Sequence, residues 1–391
     1  MSCNKSTPLN SIDSVVSTRR IAAHPPLLEG FDVISTKRKF IASMILSAAA
    51  LPAMAAEPLH FSMTYLGQFR AGGMNNLGHV VGWGNNPGDL EAVLHDGSGM
   101  KFLGSPSGFS LAHGINDAGQ IVGQYGLNQA FSYSGGTFSD IGPTRSTATA
   151  INNAGQIIGT EQIGVWESNG FIYANGALTT LTPANATGSL ALALNNNGQI
   201  AGVVRGNFGA SAMIFENGGV TDLSASMPAA EYAESRAVDI NDNGQALITR
   251  RTWFDVSERS YFYDNGVATD LGQLTDSRVY ATALNNAGLV IGTTGAREGF
   301  VWQNGVMYDL NKLVSGLGDW DIQEALAINE NNQIAAWACR GFFPGSGGGE
   351  CGTLLLSTVS AVPEPSTYAM MAGGLGLLGF MARRRRAAPK A

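Results

Sequence analysis

Histidine and cysteine are scarce in this chain of 391 residues, and charge is thin: five His, three Cys and 14% charged side chains. Beyond position 55 the histidines are His60, His79, His95 and His113, none spaced as His-x-x-x-His. Cys-x-x-Cys does not occur, so nothing supports a zinc centre built from local ligands. The G-x-S-x-G nucleophile elbow is also missing. Basic side chains are few where they would matter. Removing the six basic and three acidic side chains of residues 1–55, and the five basic ones of 366–391, leaves 12 basic and 27 acidic side chains in 56–365. A body near −15 repels DNA, RNA and anionic lipid. Neutral glycans, cationic surfaces and cation-bridged partners stay open. No residue pattern requires a cofactor. What the chain does have is glycine, 51 residues of it, which suits a turn-rich β protein better than a helical one.

Both ends read as addresses. Lys37-Arg38-Lys39 precedes an apolar stretch from Phe40 to Leu51, then Pro52 and Ala53-Met54-Ala55. That is the three-part layout of a secretory signal peptide over 37–55, with an apolar run too short for an ordinary span. Residues 1–36 are polar and unpatterned. They read as a disordered extension or as upstream sequence, with translation starting near Val33. At the other end stand Val362-Pro363-Glu364-Pro365, a Gly- and Leu-rich stretch from Thr367 to Ala382, and Arg383-Arg384-Arg385-Arg386. An apolar segment followed by a basic block inserts as a transmembrane helix with the block left in the cytoplasm. Gly374, Gly376 and Gly379 fit G-x-G-x-x-G, but no strand precedes them, so they make no dinucleotide site.

The order Pro363-Glu364-Pro365, short apolar span, Arg383–Arg386 resembles the PEP-CTERM sorting signal of Gram-negative bacteria, over residues 362–386, with 387–391 as a tail. The resemblance implies export by signal peptidase cleavage and transient residence in the inner membrane through the C-terminal helix. It further implies processing by an exosortase near Pro-Glu-Pro and transfer to the cell surface or extracellular matrix. Such proteins belong to strains that make exopolysaccharide. A plain membrane anchor is the alternative.

Between the addresses one phrase returns seven times: Met74-Asn75-Asn76-Leu77-Gly78, Ile115-Asn116-Asp117-Ala118-Gly119, and again at Asn152, Asn195, Asn241, Asn285 and Asn329. The spacings are 41, 36, 43, 46, 44 and 44 residues, the length of a four-stranded blade. Each unit carries four strand signals: a small alternating run such as Thr147–Ile151, a Gln-Ile-x-Gly run such as Gln156–Gly159, an aromatic run such as Phe171 and Tyr173, and a segment ending in Asp-Leu such as Asp222-Leu223. Asn-x-x-Gly joins the first two strands. Asn-Gly joins the last two at Asn175, Asn217, Asn265 and Asn304, the strongest short hairpin signal. The seventh unit lacks its fourth strand after Leu354–Leu356, while an orphan fourth strand, Met63–Gly67, stands at the front. These observations predict an all-β, seven-bladed β-propeller of about 42-residue repeats, spanning 56–361 and closed by pairing of its N- and C-terminal strands. An open stack of repeats is the rival, though it needs capping units that the chain lacks. The repeat also resembles the HAF-type extracellular repeat over about 60–357, which implies an exported repeat protein.

Cys339 and Cys351 bracket a Gly-rich loop. In an oxidising compartment they are expected to form a disulfide at the closure seam, worth about 3 kcal/mol by chain entropy. Asp239-Ile240-Asn241-Asp242-Asn243-Gly244 matches the front of a Ca²⁺ loop, but Arg250 stands where a bidentate Glu is wanted, so the turn reading is preferred and no metal is assigned. Recurring Asp residues of the fourth strand read as turn or cap residues, since catalytic residues should break the repeat rather than obey it. The two variable-length connections share one face. Its loops hold Trp83, Tyr232, Arg250, Arg251, Trp253, Trp320, Phe342 and Phe343, which suit stacking on sugar rings or on a protein, or else pack blades. The sequence therefore favours a non-catalytic surface protein that binds exopolysaccharide or a matrix protein. The alternatives are a hydrolase or lyase working through the propeller funnel, and a structural adhesion or coat protein.

Overall fold

The computed structural model describes residues 57–207, 209–228, 233–252, 258–274, 278–341, 349–359, 373–376 and 378. The signal peptide, residues Pro363–Pro365 and the Arg383–Arg386 cluster lie outside them. Of the expected membrane helix, residues 373–376 and 378 are described and helical. No helix among the described residues is long and apolar enough to cross a membrane.

The protein is an all-β propeller of seven blades. Six are four-stranded antiparallel sheets in simple meander order. Blade three shows the rule: Ser146–Ile151, Ile157–Gln162, Ser168–Ala174 and Ala177–Thr180, from the axis outward. Asn175 (φ 53°) and Gly176 (φ 78°) turn the outer hairpin, the double left-handed geometry that Asn-Gly favours. Gly159 on the second strand faces the inner strand so closely that a Cβ would lie 2.2 Å from the Thr147 carbonyl oxygen. That explains the glycine in the Gln-Ile-x-Gly run. Every inner strand has a bulge about three residues before its Asn, at Thr149 in blade three and at His113 in blade two.

Blade seven closes the ring with both ends of the chain. Its strands from the axis are Asp321–Ile328, Ile334–Arg340, Glu350–Val359 and His60–Gly67. Met63 lies opposite Leu356, Thr64 opposite Leu355 and Tyr65 opposite Leu354, the pairing expected from the orphan strand. A fifth strand, Val314–Ser315, adds parallel to His60–Gly67 on the outside. It follows a one-turn helix, Leu310–Leu313, whose Asp309 cap accepts a hydrogen bond from the Asn311 amide at 2.9 Å. Asp222 and Asp270 likewise accept from the amides of Ser224 and Gly272, so the repeated Asp caps the turn after the fourth strand. Cys339 and Cys351 are directly paired across the second and third strands and form a disulfide.

What joins the blades is the repeated asparagine. Each one is buried. Its side-chain oxygen accepts from the backbone amide four residues on, and in five blades also from the amide two residues on, as Asn195 does from Gln199 (2.9 Å) and Asn197 (3.1 Å). Its amide nitrogen donates to the backbone carbonyl of the next blade's asparagine. The chain of donors runs Asn75 to Asn116, Asn152, Asn195, Asn241, Asn285 and Asn329, and Asn329 donates back to Asn75 at 3.1 Å. A second ring lies one residue on. The backbone amides of Asn76, Asp117, Asn153, Asn196, Asp242, Asn286 and Glu330 each donate to the side chain of the next member, and Glu330 donates to Asn76. At the opposite face, buried serines bridge some seams, as Ser110 accepts from Ala92 and Ser189 from Gly170.

Removing Asn195 strands two backbone amides and takes the inter-blade donor from the Asn241 carbonyl, which keeps its bond from the Gly244 amide. Asn195→Ala is expected to cost about 3 kcal/mol, whereas Asn265→Ala in an exposed hairpin costs about 1 kcal/mol or less. Urea unfolding of the two variants checks the difference. Equal losses would remove the asparagine ring from its inter-blade role.

Candidate functional sites on the variable face and on the axis

Both tight turns of each blade, Asn-x-x-Gly and Asn-Gly, lie at one face. The longer connections between second and third strands, and between blades, lie at the other. The residues expected on that variable face separate once packed. Trp320 is 6% exposed and sits in the core cluster of blades six and seven. Its ring packs on Tyr65 at 5.1 Å, with the Arg340 guanidinium 4.7 Å over it, and Arg340 in turn binds Glu350. The expectation of an exposed aromatic there is corrected: Trp320 fills the closure seam between Tyr65 and Arg340. Trp83 lies within the second strand of blade one, Val80–Asn86, half-buried, with its ring edge toward His113 at 6.0 Å. Arg250 is 8% exposed and donates to the Pro228 carbonyl at 2.5 Å, so it ties a loop down rather than reaching out. Arg251 is exposed. Tyr232, Trp253, Phe342 and Phe343 lie outside the described residues.

The variable face of blades one to three instead offers residues that the sequence reading passed over. Trp166 is 86% exposed, beside Val165 at 79%, in the loop after the second strand of blade three. Leu127, at 95%, occupies the matching loop of blade two. Two concavities share Phe109. One, about 680 Å³, runs along Asn85–Leu90. The other, about 590 Å³, is lined by Leu127, Gln129, Thr144, Arg145 and Gln162. Asn128 (φ 63°) and Arg145 (φ 66°) both border the second in the left-handed region. For Arg that conformation costs free energy and collects at functional loops. The only sequence signal for this site was a Trp at a repeat-variable loop, easily lost among six Trp.

A second candidate lies on the axis. A cavity of about 330 Å³ is lined by the inner strands of all seven blades. Two ionisable residues break the repeat there. Asp239 stands where the other blades have Gly or Ala, and His113 where they have Gly, Thr, Leu or Val. Burial pushes the Asp239 carboxyl up to about 7, against hydrogen bonds from the amides of Leu284 (2.8 Å) and Ile240 (2.9 Å); the Glu330 charge adds to the rise. Burial pushes His113 down to about 4, and its Nε2 has no hydrogen-bond partner. Nearby, Asp117 and Asp242 of the second ring each accept from two asparagine side chains, Asn76 with Asn153 and Asn196 with Asn286. Among the described residues no cluster of three or more His, Cys, Asp or Glu is arranged to hold a metal ion.

Against known proteins, residues 361–386 match the PEP-CTERM protein-sorting motif. The chain therefore carries an exosortase sorting signal, and it is an exported protein held at first in the membrane and then delivered to the cell surface. No curated protein matches it. Among solved structures it is similar to YCF48 bound to D1 peptide (12% identity, 81% of this chain and all of that one, TM-score 0.49). It is also similar to YCF48 from Cyanidioschyzon merolae (10%, 76% and 98%, 0.45). A third likeness is to the β-propeller domain of the Trilobed protease from Pyrococcus furiosus (12%, 59% and 77%, 0.44). At these scores the likenesses carry no argument about function.

The two axial groups pull stability in opposite directions with pH. Folded Asp239 holds its proton up to about pH 7 while the unfolded carboxyl loses it near 4, so its contribution falls as pH rises through that window. Folded His113 loses its proton near 4 while the unfolded imidazole keeps it to about 6.5, so its contribution rises with pH. Relative to the unaltered protein, Asp239→Ala should therefore gain stability from pH 4 to 7, and His113→Thr should lose it. Urea midpoints measured across that range check both signs.

Proposed function

We propose that the protein is a non-catalytic binding protein of the surface or extracellular matrix of a Gram-negative bacterium, holding exopolysaccharide on the variable face of blades one to three. The observation that carries this reading is Leu127 on the wall of a double concavity edged with amides and one guanidinium, Asn85, Asn86, Gln129, Gln162 and Arg145, with the exposed Trp166 four residues along the chain from Gln162. A flat ring beside amide donors and acceptors suits a sugar, whose ring has an apolar face and a hydroxyl rim. The excess of acidic side chains favours neutral sugar units over anionic ones.

The direction of the closing strands supports the same face. Glu350–Val359 is a third strand and ends at the tight-turn face, where Gln333 of the Asn329 turn donates to Ser357. His60, which starts the fourth strand, lies directly opposite Val359. Three residues lie between Val359 and Pro363, at most about 14 Å of chain. The last described strand thus ends at the tight-turn face, opposite the variable face, close in sequence to the sorting signal.

The test is co-sedimentation of the exported protein with the exopolysaccharide of the producing strain. Saturable binding is expected, weakened about tenfold or more by Trp166→Ala, with polymer length unchanged. An 86% exposed side chain is not needed for folding, so the variant should melt with the parent. Shortened polymer would move the reading to a hydrolase or lyase. Absence of binding would leave a scaffold that engages other proteins.

A further inference from the structure

The axial cavity holds a charge problem that the fold does not solve. Asp239 is half-buried on the cavity wall, and no Lys or Arg is among the residues lining the cavity. His113, the other ionisable group on its wall, is held neutral by burial and offers no counter-charge. The charged groups that act on Asp239 from its neighbours add repulsion: Glu330 raises it directly, and Glu330 is itself raised by burial and by Asp242 and Asp117. Each Asp239 oxygen accepts one backbone amide, Ile240 on one and Leu284 on the other, and a carboxylate oxygen has room for a further donor. Six other blades place Gly or Ala at this position, so the propeller closes without a carboxyl there. A half-buried acid that the architecture does not require, on the wall of a cavity of about 330 Å³, is a candidate ligand contact.

The rest of the wall selects the ligand's other half. Ile115, Ile151, Leu192, Leu326 and Ile328 line the same space and suit a short hydrocarbon chain. The volume lies at the small end of ligand pockets, too small for a polymer segment. We propose that the axial cavity binds a small organic cation, its ammonium group against the Asp239 carboxylate and its carbon chain among these aliphatic side chains. The site is separate from the variable-face concavities and does not depend on what they bind.

The experiment is calorimetric titration of the exported protein with n-propylammonium and n-butylammonium chloride, with n-propanol and n-butanol as uncharged controls. Saturable binding of the amines and not the alcohols is expected. It should tighten as pH rises from 6 to 8, because the ionised carboxyl is the form that pairs. Asp239→Ala, the residue of four other blades, should weaken binding at least tenfold, and circular dichroism should show it folded; Asp239→Asn, which keeps the shape, should weaken it similarly. Three results would overturn the proposal: no saturable binding of either amine by the unaltered protein, equal binding of amines and alcohols, or amine affinity unchanged in both variants.

Discussion

Seven buried asparagines hold this propeller together. A blade alone leaves two turn amides to be satisfied, and an asparagine carbonyl that accepts one amide of its own turn with its second acceptor position open. One side chain per repeat meets both needs: its oxygen closes its own turn and its nitrogen reaches the neighbouring turn. Because the last donor returns to the first carbonyl, no blade is left with an unsatisfied edge. Buried polar networks of this kind are stabilising when every member is paired and costly when one is not. The ring therefore couples the blades more strongly than the small hydrophobic seams between them would alone, and it accounts for the constancy of Asn in a repeat whose other positions drift.

The same constraint explains what may vary. At the tight-turn face the rings leave little freedom, and Asn332 still takes the left-handed turn position (φ 58°) where glycine is replaced. At the opposite face no such ring is found among the described residues. The loops there differ in length and chemistry from blade to blade, and the exposed Trp166 and Leu127, with the left-handed Asn128 and Arg145, are found among them. Closure adds the final requirement. The terminal strands pair at a seam packed by Phe61, Trp320, Leu354 and Leu356 and fastened by Cys339–Cys351.

A particular kind of information was legible in the sequence and another was not. Turn chemistry is local, so Asn-x-x-Gly and Asn-Gly located the hairpins, and their recurrence counted the blades. A missing fourth strand at one end and a spare one at the other implied the pairing of Met63–Gly67 beside Leu354–Leu356, because backbone pairing needs a partner for each edge; the register itself came from the structure. The Asp of the fourth strand was readable as a cap for the same local reason. The five-stranded form of blade seven was not, since Val314–Ser315 has too few residues to carry a pattern. Nor were the seam serines, whose partners lie in another blade.

The sequence by itself determined the repeat, the number of blades, the pairing of the ends and the sorting signal, because each depends on neighbouring residues or on counting. Only the tertiary structure decided which aromatics face water. Trp320 and Trp166 both stand outside the regular strands, and exposure separates them because one lies under the closure seam while the other lies at a hairpin tip with no blade above it. Only the tertiary structure, too, brought His113 and Asp239, 126 residues apart, to one cavity. Closing a ring carries every blade's inner strand to a common axis, and that convergence is a property of the whole circle rather than of any segment of chain.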